Sequence, residues 1–94
     1  MANISKKIIE RVRAVIINSD KILLINRIKD GDSYWVMPGG AVEQGEKHEQ
    51  AVKRECFEEL GIKVRVEKLF LQRIGDKPGM EGQQEFFYLC GITG

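Results

Sequence analysis

One long helical segment sits in this chain, from about Glu46 to Leu60, and the segments around it read as strands and turns. Gly61 follows at once, and glycine readily takes the left-handed conformation that ends a helix. Before the helix, Arg11–Ile17 (RVRAVII) begins by alternating and ends apolar. Asn18-Ser19-Asp20 is a turn signal, and Lys21–Arg27 (KILLINR) follows as a second strand, so the pair predicts a hairpin. Ile22–Ile25 is apolar on both faces, which predicts a central strand. Lys29–Ser33 reads as a polar loop around Gly31, Tyr34–Met37 as a short strand, and Pro38-Gly39-Gly40 as the turn that ends it. After the helix come a long strand over Val64–Ile74, a glycine- and proline-containing loop over Gly75–Gln84, and a strand over Glu85–Cys90. Strands on both sides of a single helix predict a mixed α/β domain.

At 94 residues the chain is the size of one domain. Fifteen basic and fourteen acidic residues leave a net charge of +1. That balance argues against general nucleic-acid binding and against attachment to an anionic membrane. No run approaches membrane-spanning length, and the charged start MANISKKIIERVR has no apolar stretch of signal length. The expectation is a cytoplasmic, reduced protein with no membrane partner. Cys56 and Cys90 lack metal-ligand spacing and read as small buried side chains.

The helix carries a local concentration of acid. At about 100° per residue, Val52, Cys56 and Leu60 share an arc of roughly 80°, the core face. Glu55, Glu58 and Glu59 share a separate arc about 100° wide, with Ala51 among them. Their spacings of three and four make them neighbours, and like charges there repel. They also lie near the helix C-terminus, where the macrodipole disfavours carboxylates. One reading is a solvated acidic face relieved by Lys47, Lys53 and Arg54. The other is a divalent cation that reverses the sign of the repulsion. Mg²⁺ is hard, takes oxygen ligands and keeps water and substrate phosphates in its shell. Gly39 and Gly40 let the backbone come close to whatever sits there.

Read from Gly40, the chain has five residues, Glu46, seven residues, and then Arg54-Glu55-Cys56-Phe57-Glu58-Glu59-Leu60-Gly61-Ile62. This pattern resembles the signature of the Nudix (MutT-like) hydrolases, and Trp35-Val36-Met37-Pro38-Gly39-Gly40 is similar to the segment that leads into it. The departure is Cys56, where the family has a large aliphatic residue. The resemblance implies an α/β Nudix fold, a mixed sheet with the signature helix on one face. It implies hydrolysis of a nucleoside diphosphate linked to another moiety, with Mg²⁺ or Mn²⁺ and a small nucleotide substrate. Glu55, Glu58 and Glu59 would be metal ligands, joined by a Gly40 carbonyl. Arg54 would orient Glu55, Glu46 would support the loop and helix start, and Gly61 would end the helix. Glu58 or Glu59 would serve as general base, although in several relatives the base comes from another loop.

Arg27 and Arg73 are candidates for substrate phosphates, against the alternative of solvated arginines. Tyr34 and Trp35 are candidates for stacking on a nucleobase, with a core role for Trp35 as the alternative. His48 reads as an exposed helix residue. Pro78, sixteen residues past Ile62, resembles a mark of the ADP-ribose-cleaving branch, but stands in a Pro-Gly turn where proline is expected anyway. Family members usually continue past the position of Cys90 with more strand and a C-terminal helix, which covers the sheet face opposite the signature helix. The expectation for residues 1–94 is a single, C-terminally truncated domain with one sheet face uncovered. A naturally short chain and a homodimer that completes the fold are the competing explanations. Two other readings of function stay open: a non-catalytic nucleotide-binding or sensor module, and an inactive fragment.

Overall fold

β1 (Ile9–Asn18) organises the molecule because its central even positions are apolar: Val12, Ala14 and Ile16 are almost wholly buried. The computed structural model describes residues 8–75 and 82–94. Along one edge β1 runs parallel to β7 (Gln83–Ile92), with Ile9 opposite Gln83 and Ile16 opposite Cys90. β7 pairs antiparallel with β6 (Val64–Ile74) on its far side. Along its other edge β1 takes two short antiparallel strands, β2 (Lys21–Ile22) and β5 (Gly39–Ala41). β3 (Ile25–Lys29) and β4 (Asp32–Val36) form a separate hairpin. α1 (His48–Leu60) lies against β1, β5 and β6 and buries Ala51, Val52 and Cys56. These meet Val12, Ala14, Ile16, Val64, Phe86 and Cys90 in one core. This is the mixed α/β architecture, with the helix on one face.

The hairpin after β1 turns at Ser19 and Asp20, both at positive φ, which matches the twist of the flanking strands. The strand expected over Lys21–Arg27 is broken, and the expectation that Ile22–Ile25 is central fails. β2 is a two-residue edge strand. Leu23 stays beside β1 through its N–H to the Ile16 carbonyl, at 2.9 Å, and packs against the core. The chain then leaves to form β3–β4. The doubly apolar run therefore marks a crossing between two sheets, and the central strands are β1 and β7. The polar loop expected over Lys29–Ser33 is the tight Asp30-Gly31 turn of that second hairpin. Gly39-Gly40, expected as a turn, belongs to β5. Gly39 pairs with Arg13 and Gly40 with Val12.

Gly61 ends α1 as expected, at φ 66°, its N–H bonded to the Phe57 carbonyl at 2.9 Å. The helix begins at His48 rather than Glu46, because Glu46 is spent on a turn in which its N–H donates to the Glu43 carbonyl. His48 is not the exposed residue expected. Its ring lies against Phe86, with centroids 4.4 Å apart, and its nitrogens meet the Tyr88 hydroxyl at 2.7 Å and Glu10 at 3.0 Å.

Both cysteines are free and buried. Burial pushes the Cys56 thiol up to about 12 and the Cys90 thiol to about 11, so neither is a thiolate near neutrality. β6 is an edge strand, and it leaves Leu69, Phe70, Leu71 and Ile74 exposed. An apolar row of this kind tends to seek cover. Pro78 and most of the loop from Gly75 to Gln84 lie outside the described residues. Among the described residues no helix is long and apolar enough to cross a membrane.

Candidate functional site

β5 determines the site, because it carries Gly40 to the acidic side of α1. A side chain on Gly40 would put its Cβ 2.7 Å from Glu55 Oε1 and 2.9 Å from the carboxyl carbon. The absence of that atom is what lets the Glu55 carboxylate lie on the backbone. Burial pushes the Glu55 carboxyl up, Arg54 opposes this, and the charges of Glu59 and Glu58 push it up further. The net direction is upward, so the position is strained for an anion and relieved by positive charge.

Arg54 supplies part of that charge. Its Nε and Nη2 grip both oxygens of Glu46 at 2.8 and 3.0 Å, a two-pronged pair. Nη1 donates to Glu55 at 3.0 Å and to Glu58 at 3.1 Å, and Nη2 also reaches the Ala41 carbonyl at 3.2 Å. Glu46 in turn accepts from the Glu43 N–H at 3.0 Å. The Arg54 hydrogen bond, with the Glu43 backbone second, holds Glu46 below the usual carboxylate range. Loop, helix and glutamate arc are thus tied through one guanidinium.

Glu59 stands at the other end of the arc. It accepts from the Gly39 N–H at 2.8 Å and pairs with Arg27 of β3. Arg27 also lines a cavity of about 170 Å³ with Arg11, Arg13, Tyr34, Val36 and Gly39. Trp35 and Arg73 meet elsewhere, over a hollow of about 270 Å³ shared with Glu85 and Phe87. Trp35 is 65% exposed, so its core role is set aside. Arg73 is paired with Glu85 at 2.6 Å, and Arg13 with the other oxygen of Glu85 at 3.1 Å. A roomier cavity, about 560 Å³, is lined by Ile8, Ile9, Glu10, Val42, Glu43, Gly45 and Glu46 and touches none of the three arc glutamates. Size does not locate the site here; the carboxylates do.

Glu85 also makes a testable contribution to stability. Burial pushes its carboxyl up, but the hydrogen bonds from Arg13 and Arg73 outweigh this and hold it below the usual range. A depressed value in the folded state means stability that is present above the ordinary carboxylate value and lost as pH falls through the lowered one. Thermal melts between pH 6 and 3 should show an acid-side loss that is smaller in Glu85→Gln. Parallel melting curves for the two proteins would refute the assignment.

The donors suit a hard divalent cation in chemistry: carboxylate oxygens on one helix face, with a backbone brought close where a Cβ would obstruct it. Among the described residues no three acidic, His or Cys side chains converge as a ready-made cage. The carboxylates are turned instead toward Arg54 and Arg27, the charges that neutralise them in this structure.

Residues 8–91 match the family described as the NUDIX domain. The chain belongs to the NUDIX family. Over 50 residues the NUDIX domain is 44% identical to an RNA pyrophosphohydrolase of Wolbachia sp. subsp. Brugia malayi (strain TRS), covering 53% of this chain and 31% of that protein. Over 62 residues it is 45% identical to the CTP pyrophosphohydrolase of Escherichia coli (strain K12), covering 64% of this chain and 46% of that one. Its backbone superposes on a NUDIX hydrolase from Nitrosomonas europaea with a TM-score of 0.85 at 28% identity, over 94% of this chain and 61% of that chain. These matches span between about a third and three fifths of the relatives' own lengths.

The NUDIX signature marked out Glu46, Arg54, Glu55, Glu58, Glu59 and Gly40, and the structure gathers all six around one loop and one helix face. Of the four residues expected at the substrate, Arg27 joins this group, Tyr34 lines the cavity beside it, and Trp35 and Arg73 stand apart over the second hollow. Arg11, Arg13 and Glu85 were not among the expected residues. The signal for the two arginines was the alternation of RVR, which puts both on the sheet face that the core residue Val12 does not occupy.

Proposed function

We propose that this NUDIX domain hydrolyses a phosphoanhydride bond of a nucleoside diphosphate linked to another moiety, in a reaction that depends on Mg²⁺ or Mn²⁺. The observation that carries the proposal is the Glu55 carboxylate, seated on Gly40 with Glu58 and Glu59 on the same helix face and Arg54 bracing two of the three. Repelling carboxylates held this close serve binding of positive charge better than they serve the fold. Glu55, Glu58, Glu59 and the Gly40 carbonyl would hold the cation. When bound, it neutralises the diphosphate and lowers the pKa of water.

The remaining work falls to the chain itself. Arg54 keeps Glu55 and Glu58 oriented through one nitrogen, and its grip on Glu46 anchors that nitrogen to the loop. Glu58, more than half exposed at the end of the arc, would take a proton from an attacking water as general base, with Glu59 as the alternative. Arg27 stands at Glu59 and can exchange that carboxylate for a substrate phosphate.

The test is Mg²⁺-dependent hydrolysis by the 94-residue chain over ADP-ribose, nucleoside triphosphates, dinucleoside polyphosphates and 5′-triphosphate RNA. Turnover that needs Mg²⁺ and falls by about 10²-fold or more in Glu58→Gln is the expected result. Turnover insensitive to Mg²⁺ and to Glu58→Gln would overturn the reading.

A further inference from the structure

The cavity beside Glu59 shares a wall with the second hollow. Arg13 and Val36 line both the cavity of about 170 Å³ and the one of about 270 Å³. Each alone is below the roughly 300 Å³ of a complete ligand pocket, and joined they exceed it. They differ in character. The smaller is lined by Arg11, Arg13 and Arg27 with no carboxylate, and borders Gly39, whose N–H binds Glu59. The larger has Trp35 and Phe87 beside the Arg73–Glu85 ion pair.

The three arginines are not equivalent. The charge of Arg13 is offset by Glu85 and that of Arg27 by Glu59. Among the described residues, the side-chain partner of Arg11 is the neutral amide of Gln83, at 3.1 Å. The uncompensated positive charge of the small cavity therefore sits on Arg11. A diphosphate at the glutamate arc would lie next to it. A further phosphate, beyond the linkage at the arc, would fall to Arg11.

We propose that the joined hollows are one substrate groove, in which Arg11 with Arg13 and Arg27 binds an additional phosphate and Trp35 stacks on the base, so that the substrate is a nucleotide bearing a 5′-triphosphate. The inference rests on the hydrolase reading only for the position of the diphosphate. A diphosphate flanked by two neutral sugars, as in ADP-ribose, leaves Arg11 without a partner. The 5′-triphosphate can belong to a free nucleotide or to the end of an RNA.

The test separates binding from turnover. Inorganic triphosphate is titrated into the metal-free protein in EDTA and followed by calorimetry. Wild type binds it more tightly than ADP-ribose, and Arg11→Gln weakens it about tenfold, the worth of one charge-assisted contact. Lys53→Gln, which removes an equal charge on the far side of α1, leaves the affinity unchanged. Arg11→Lys keeps part of it, and melting curves show that each variant is folded. Trp35→Ala weakens a nucleoside triphosphate but not inorganic triphosphate. Equal affinity for triphosphate and ADP-ribose, or an Arg11→Gln affinity equal to wild type, overturns the proposal. Intact triphosphate binding without Mg²⁺-dependent turnover overturns the hydrolase reading alone. With the groove confirmed, KM values for a nucleoside triphosphate and a 5′-triphosphate RNA identify which source is used.

Discussion

Gly40→Ala is expected to lower kcat/KM for the proposed hydrolysis about 10²-fold and to leave the helix content unchanged. The backbone of Gly40 is not at positive φ, so alanine can adopt it without strain. The new methyl group would stand 2.7 Å from Glu55 Oε1, closer than non-bonded atoms allow, and it is the carboxylate that must move. A displacement of about 1 Å at a catalytic group costs on the order of 10²-fold in rate. The measurement is steady-state kinetics alongside far-ultraviolet circular dichroism. Wild-type kinetics in a folded alanine variant would show that the close approach of β5 to Glu55 has no part in catalysis.

Arg54→Ala should lower both stability and activity, and the stability loss is the more telling. The substitution strips Glu46 of both its side-chain donors and leaves Glu55 and Glu58 facing each other without their shared cation. Arg54 is about one quarter exposed and Glu46 and Glu55 less, so solvent screens the loss only in part. Hydrogen bonds to charged groups contribute about 1.5–3 kcal/mol each in favourable cases. A net loss of about 2 kcal/mol is expected once water replaces some of them, a fall in Tm of roughly 10 °C for a domain this size. Arg54→Lys should recover little, because an ammonium cannot reproduce the two-pronged grip on Glu46 while also reaching Glu55 and Glu58. Added Mg²⁺ should raise the Tm of Arg54→Ala more than that of wild type, since the orphaned carboxylates are then free to bind it. An Arg54→Ala protein that melts with wild type would reduce the network to a surface salt bridge.

Much of this was legible before any fold was known. The helix, its glycine stop and its acidic arc follow from spacing within a few turns, because a helix closes its hydrogen bonds four residues away and sorts its side chains by that period. The strands β1, β6 and β7 announce themselves by apolar pattern, and even their misjudged ends are off by only a residue or two. The misreadings cluster where the partner is distant. Gly39-Gly40 looked like a turn because nothing within β5 says that it will pair with Arg11–Arg13, some twenty-eight residues earlier. Ile22–Ile25 looked central because an apolar run cannot say which strand it will meet. His48 looked exposed because its position on the helix wheel says nothing of Tyr88 and Glu10 beneath it.

The sequence by itself determined which residues are candidates for the chemistry, since the spacing of glutamates along one helix is a local property. Only the tertiary structure decided what those residues meet: that Gly40 is the surface on which Glu55 rests, that Arg27 arrives from a separate hairpin to hold Glu59, and that Arg11 and Arg13 line one cavity. The reason is that strand pairing and sheet layering join residues far apart in the chain. Arg11 and Gln83 meet across a separation of 72 residues, and no local period encodes that contact.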